Sequence, residues 1–138
     1  MGQGAPYGIT PEARKNPKLK FLFKGSRLED TDIIGDLGIV QSAASGDEID
    51  RLDCSLGTPE NALLIATCKL AGCYALFNEK IMFPRVGTLG TTSEKLRSDI
   101  GYLEKGSGGA VFGVGSIIWV GSMAWKKYNN YRNLMYCA

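Results

Sequence analysis

The sequence contains no histidine. A Ser/His/Asp or Cys/His triad, a histidine general base and the common mixed Cys/His zinc site are therefore excluded. Cysteine is sparse: Cys54, Cys68, Cys73 and Cys137 lie 14, 5 and 64 residues apart, a spacing of neither a CxxC pair nor a zinc ribbon. On a helix Cys68 and Cys73 would point about 140° apart, too far for a ready disulfide, so buried free thiols are expected and no metal site is assigned. Asp53 beside Cys54 raises rather than lowers a thiol pKa, so no catalytic residue is assigned and an enzyme is not expected. The opening MGQGAPYG has Pro6 where a myristoylation signal takes Ser or Thr, and no apolar leader follows.

Excess charge of one sign is lacking too, with 16 Lys+Arg against 14 Asp+Glu in 138 residues. The distribution is uneven, because residues 1–60 hold 7 of the basic and 10 of the acidic side chains while 110–125 hold none. Pro6, Pro11 and Pro17, with a basic run from Arg14 to Arg27, predict an extended polar arm over residues 1–57, suited to an acidic protein or an anionic lipid surface. Eight carboxylates between Glu29 and Asp53 would repel a phosphate backbone, so nucleic acid is not an expected partner. Asp47, Glu48, Asp50 and Asp53 lack the order of a calcium loop and read as a solvated acidic patch.

From residue 58 the signals predict helix. Thr58, Pro59 and Glu60 suit an N-cap, a first helical position and a first turn, and the apolar run 61–77 that follows carries one charge, Lys69. Its length is marginal for a bilayer, and Lys69 would require a partner; a buried helix fits the same residues. Thr91 and Glu94 resemble a capping box, and Leu96, Ile100 and Leu103 at i, i+4 and i+7 predict a short amphipathic helix over 93–104.

Twenty uncharged residues separate Lys105 from Lys126, enough to cross a bilayer. Gly109 and Gly113 form a GxxxG pair that Ser116 extends along one face, the spacing of a close helix–helix contact in lipid. Trp119, Trp125, Lys126, Lys127 and Tyr128 resemble the aromatic and basic collar of a membrane surface. The resulting expectation is a mainly α, small membrane protein: one or two transmembrane helices at about 61–77 and 108–126 in a helical region 58–138, following the irregular arm. Two β-strands, AVFGVG and SIIWVG, are the alternative for the second segment, since Val, Ile, Phe and Trp also favour strands.

On NALLIAT at the start of the first segment, TTSEKL in the connection and FGVGSIIWVG in the second, residues 61–125 resemble the small two-helix K and G subunits of photosystem I. That resemblance implies a thylakoid protein at the edge of a large complex, binding chlorophyll and carotenoid. The second segment lacks the histidine of such subunits, so the resemblance implies pigment ligation by backbone carbonyls, by waters or by polar side chains such as Glu60 or Asn61. The function this implies is a non-catalytic accessory subunit of an energy-transducing organellar membrane complex, thylakoid or mitochondrial, with other subunits and lipid as partners. A soluble virion assembly protein, such as a phage head-to-tail connector, is the reading from a different class.

Overall fold

The computed structural model describes residues 4–26, 28–38, 43–69, 75–78, 83–89 and 92–123. Its centre is an antiparallel sheet of five strands: β1 (Tyr7–Ile9), β2 (Ile33–Ile34), β3 (Leu63–Lys69), β6 (Arg97–Glu104) and β7 (Ala110–Val114), in the spatial order β2-β1-β3-β6-β7. Strands β4 (Ala75–Asn78) and β5 (Phe83–Leu89) pair with each other as a separate two-stranded ribbon. The helices α1 (Pro11–Lys15), α2 (Lys20–Phe23) and α3 (Trp119–Met123) have at most five residues each. No helix among the described residues is long and apolar enough to cross a membrane. The mainly α, membrane-spanning expectation is therefore overturned.

Each revision has a local physical reason. The run expected as a helix over 61–77 supplies β3 and β4, and the alternation of a strand resolves the charge at its middle. Ala66 and Cys68 are buried, while Thr67 and Lys69 point to the other side, where Lys69 meets Glu94 at 2.8 Å. The segment 93–104 supplies β6: Ser98, Ile100 and Tyr102 line one face and Asp99, Gly101 and Leu103 the other, a period of two where a helix was expected. Within 108–126 the glycines that would weaken a helix are placed to make a hairpin. Gly108 and Gly109 adopt φ values of 90° and 85°, which L side chains rarely reach, and Lys105 donates to the Gly109 carbonyl at 3.0 Å to close the β6–β7 turn. The strand alternative holds over AVFGVG, which contains β7, whereas SIIWVG forms a turn and α3.

The N-terminal stretch expected as an irregular arm is folded into the sheet. Tyr7 and Ile9 are buried on either side of exposed Gly8, and β1 pairs with β2 and with β3. Thr10 then caps α1, its Oγ1 accepting from the Ala13 amide at 3.1 Å, with Pro11 in the first turn. Asn16 ends α1 and caps the short 3-10 turn Pro17–Leu19 by accepting from the Lys18 amide at 3.0 Å. The second Thr-Pro-Glu triplet, 58–60, does not start a helix. Its turn closes with the Ala62 amide on the Pro59 carbonyl at 3.0 Å and runs straight into β3.

One core results, on the face of the sheet carrying Tyr7, Ile9, Ile34, Ala66, Cys68 and Ile100. Ala13, Leu19, Phe23 and Leu28 from the N-terminal turns and Trp119 from α3 close over it. Trp119 meets Tyr7 edge to face with ring centroids 5.9 Å apart.

Candidate functional site

Among the described residues, the segment Asp50–Asp53 crosses the opposite face of the sheet. Its path is fixed by backbone hydrogen bonds from the Asp99 amide to the Asp50 carbonyl at 3.0 Å and from the Asp50 amide to the Gly115 carbonyl at 2.9 Å. Gly115 is required for this approach, because a Cβ there would collide with the Asp50 carbonyl oxygen and lie 2.8 Å from the Asp99 carbonyl oxygen.

A buried ion pair fastens the same segment. Asp99, with a side chain only 1% exposed, accepts from Arg97 Nε at 3.0 Å, from the Thr67 hydroxyl at 2.7 Å and from the Leu52 amide at 2.9 Å. Arg97 in turn donates to the carbonyls of Leu52 at 3.0 Å and Glu94 at 2.9 Å. A charge taken out of water this completely is tolerable only when its lone pairs are occupied, as they are here. One turn further on, Asp53 accepts from Ser55 and from Arg51, the latter at 2.7 Å; these bonds hold its carboxyl down at about 2.

Beside this segment lies a groove of about 320 Å³, walled by Leu52, Pro59, Ala62, Leu103 and Val111. Gly101 and Gly113 face each other across β6 and β7 and form its floor. Leu52 leans over Gly101, where a Cβ would meet Leu52 Cδ1 at 2.9 Å, but over Gly113 the space is open. The groove is thus shaped for an apolar side chain, and at its end Asp99 and Arg51 are held by Arg97 and Asp53.

A second polar cluster is enclosed on the core face. Ser98 donates its hydroxyl hydrogen to the Gly115 carbonyl, so Tyr7 is the donor in the 2.6 Å contact between the Tyr7 and Ser98 hydroxyls. Burial pushes the Tyr7 phenol and the Cys68 thiol above their ordinary values. The enclosed Ser45 hydroxyl beside them has no hydrogen-bond partner of good geometry among the described residues. Protonated groups of this kind suit a structural role better than nucleophilic chemistry. Cys54 is free and exposed and Cys68 free and buried; the other two cysteines lie outside the described residues.

The expected site residues are dispersed. Gly109 is in the β6–β7 turn and Gly113 on the groove floor, so the pair does not share a helix face. Ser116 is buried and holds Gly46, donating to its carbonyl and accepting from its amide at 3.0 Å. Trp119 is a core residue, 5% exposed, with no place in an aromatic collar. Trp125, Lys126, Lys127 and Tyr128 lie outside the described residues. Glu60 is exposed in the turn before β3, and Asn61 donates from Nδ2 to the Glu104 carbonyl at 3.1 Å, tying that turn to β6. The Arg97–Asp99 pair escaped the sequence reading, although two opposite charges two apart are the spacing that puts both on one side of a strand.

Comparison with known proteins gives a consistent likeness. The family model described as N,N-dimethylformamidase beta subunit-like, C-terminal, matches residues 1–133. The N,N-dimethylformamidase beta subunit of Paracoccus aminophilus is 41% identical over 98 residues, 70% of this chain and 13% of that protein. The protein of the same name from Alcaligenes sp. is 38% identical over 125 residues, 90% of this chain and 16% of its own length. The chain therefore spans about a sixth or less of the curated relatives it matches. Both are subunits of an enzyme and both are bacterial, so the photosystem resemblance, the non-enzymatic accessory role, the thylakoid or mitochondrial membrane placement and the phage-connector alternative are overturned. The chlorophyll and carotenoid implied by the resemblance lose their ground with it.

Proposed function

The chain belongs to the N,N-dimethylformamidase beta subunit-like, C-terminal family, and from that membership we propose that it works as a domain of a multi-subunit amide hydrolase. The substrate class is the small N,N-dialkylated formamide. Water adds to the formyl carbon, the C–N bond breaks, and formate and a secondary amine leave. The observation that carries this reading is the family match over residues 1–133, nearly the whole chain, rather than any local motif. The fold agrees with a domain that contributes by position: a closed core on one face and, on the other, a preformed apolar groove beside a fixed backbone segment.

The test uses the assembled Alcaligenes sp. enzyme, with the 125-residue matching stretch of its beta subunit replaced by the corresponding residues of this chain. Dimethylamine release from N,N-dimethylformamide is then measured against the parent enzyme. Release within about ten-fold of the parent, a difference of about 1.4 kcal/mol in the barrier, is the expected result. An assembled chimera that releases no amine above the buffer rate would refute the proposal.

A further inference from the structure

We infer that the free edge of β7 takes up an added strand from the remainder of the longer beta subunit, an inference that rests on the proposed function above. β7 is the last strand in the sheet order, and its outer edge pairs with no named strand among the described residues. Its sequence, Ala-Val-Phe-Gly-Val, holds neither the charge nor the proline that normally protects such an edge. The opposite edge, β2, has only two residues and offers little template.

Both sides of β7 are prepared for apolar neighbours. Val111, 45% exposed, borders the groove with Leu103 across the pair, and next to it Gly113 leaves its floor open. Phe112, 39% exposed, lies on the other side beside Tyr102, which Phe21 meets edge to face at 5.5 Å. A strand laid along β7 would place successive side chains alternately over the Gly113 floor and against the Phe112–Tyr102–Phe21 cluster, satisfying backbone groups and covering apolar surface on both sides. The relatives carry the material for it: more than four-fifths of each lies outside the match, and the family description places the matched part at the C-terminal end. An uncharged edge with apolar flanks selects an extended apolar segment of that polypeptide.

The experiment compares hydrogen exchange of residues 110–114 in the isolated chain and in the assembled chimera described above. In the chimera the β7 amides that do not bond β6 should exchange at least about ten-fold more slowly, since an added strand leaves them open only through local unfolding. Val111→Lys and Phe112→Lys should each remove that protection, while Val120→Lys, at a more exposed apolar position on α3, should leave it intact. Circular dichroism of each isolated variant separates lost docking from lost folding. Equal β7 exchange in the isolated chain and in an active chimera would overturn the strand addition and leave the amidase reading standing. An assembled but inactive chimera with β7 protected would sink the amidase reading and retain the strand addition; one that neither protects β7 nor releases amine would sink both. Concentration-dependent protection of β7 in the isolated chain would assign the edge to a second copy and also overturn the proposal.

Discussion

On one face of the sheet Tyr7, Ile34, Ala66 and Ile100 are fully enclosed beneath short helices and turns, whereas on the other Asp99 and Gly101 sit under the crossing segment Asp50–Asp53 and Val111 borders an open groove. The two faces are built from alternate residues of the same strands, so backbone geometry does not distinguish them. What differs is the means of attachment. The core face is held by removal of apolar surface from water, which is non-directional and tolerates several kinds of cover. The groove face is held by a hydrogen-bonded ion pair and by glycines that let one backbone approach another, and these admit few alternatives. Such a face is suited to fixing a position relative to something else.

The largest expected effect is on the core face. Ile100→Ala should cost about 4 kcal/mol in urea denaturation, the cavity and transfer cost of a fully enclosed aliphatic side chain. Leu103→Ala, three residues along the same strand but bordering the groove, should cost about 1 kcal/mol, in proportion to its partial burial. Equal losses at the two positions would break the distinction between the faces.

Next in size is the ion pair. Asp99→Ala should cost about 3 kcal/mol, because it leaves the Arg97 guanidinium, the Thr67 hydroxyl and the Leu52 amide without their shared acceptor. Asp99→Asn, which keeps an acceptor oxygen, should recover part of the loss. If Asp99→Ala proves neutral in the same denaturation measurement, the segment Asp50–Asp53 is held by its backbone bonds alone.

The sequence carried part of this architecture in readable form. Arg-Ser-Asp-Ile-Gly-Tyr-Leu-Glu alternates with period two across Ser98, Ile100 and Tyr102, but Leu96, Ile100 and Leu103 satisfy a helical spacing as well, and short runs do not separate the two. The Thr-Pro-Glu triplets at 10–12 and 58–60 are chemically the same start signal, yet only the first opens a helix. After the first come Ala13, Arg14 and Lys15, which favour helix; after the second, Leu63 to Lys69 is taken up by β1 and β6. That choice belongs to strands β1 and β6, distant in the sequence, which no local window contains. The uncharged stretch between Lys105 and Lys126 met a length requirement for crossing a bilayer, but its glycines serve a turn, a groove floor and a close backbone contact. The groove was illegible for the same reason: Leu52, Pro59, Leu103 and Val111 meet only through the register of β6 on β7 and the path of the crossing segment.

The smallest effect expected lies at the exposed margin of the groove face. Lys69 Nζ is 2.8 Å from Glu94, and this hydrogen bond with its accompanying charge holds the Glu94 carboxyl below its ordinary value. The folded-state value is depressed, so the pair's contribution is present above the ordinary carboxylate range and is lost as pH falls through the depressed value. Both side chains are well exposed, however, so solvent and salt screen the attraction. Lys69→Ala should therefore move the Glu94 titration upward toward the ordinary value, followed by carboxyl NMR, while leaving the denaturation midpoint at neutral pH within error. A clear fall in that midpoint would mean that Lys69 also supports the end of β3, and that the groove face depends on its rim as well as on the Arg97–Asp99 pair beneath it.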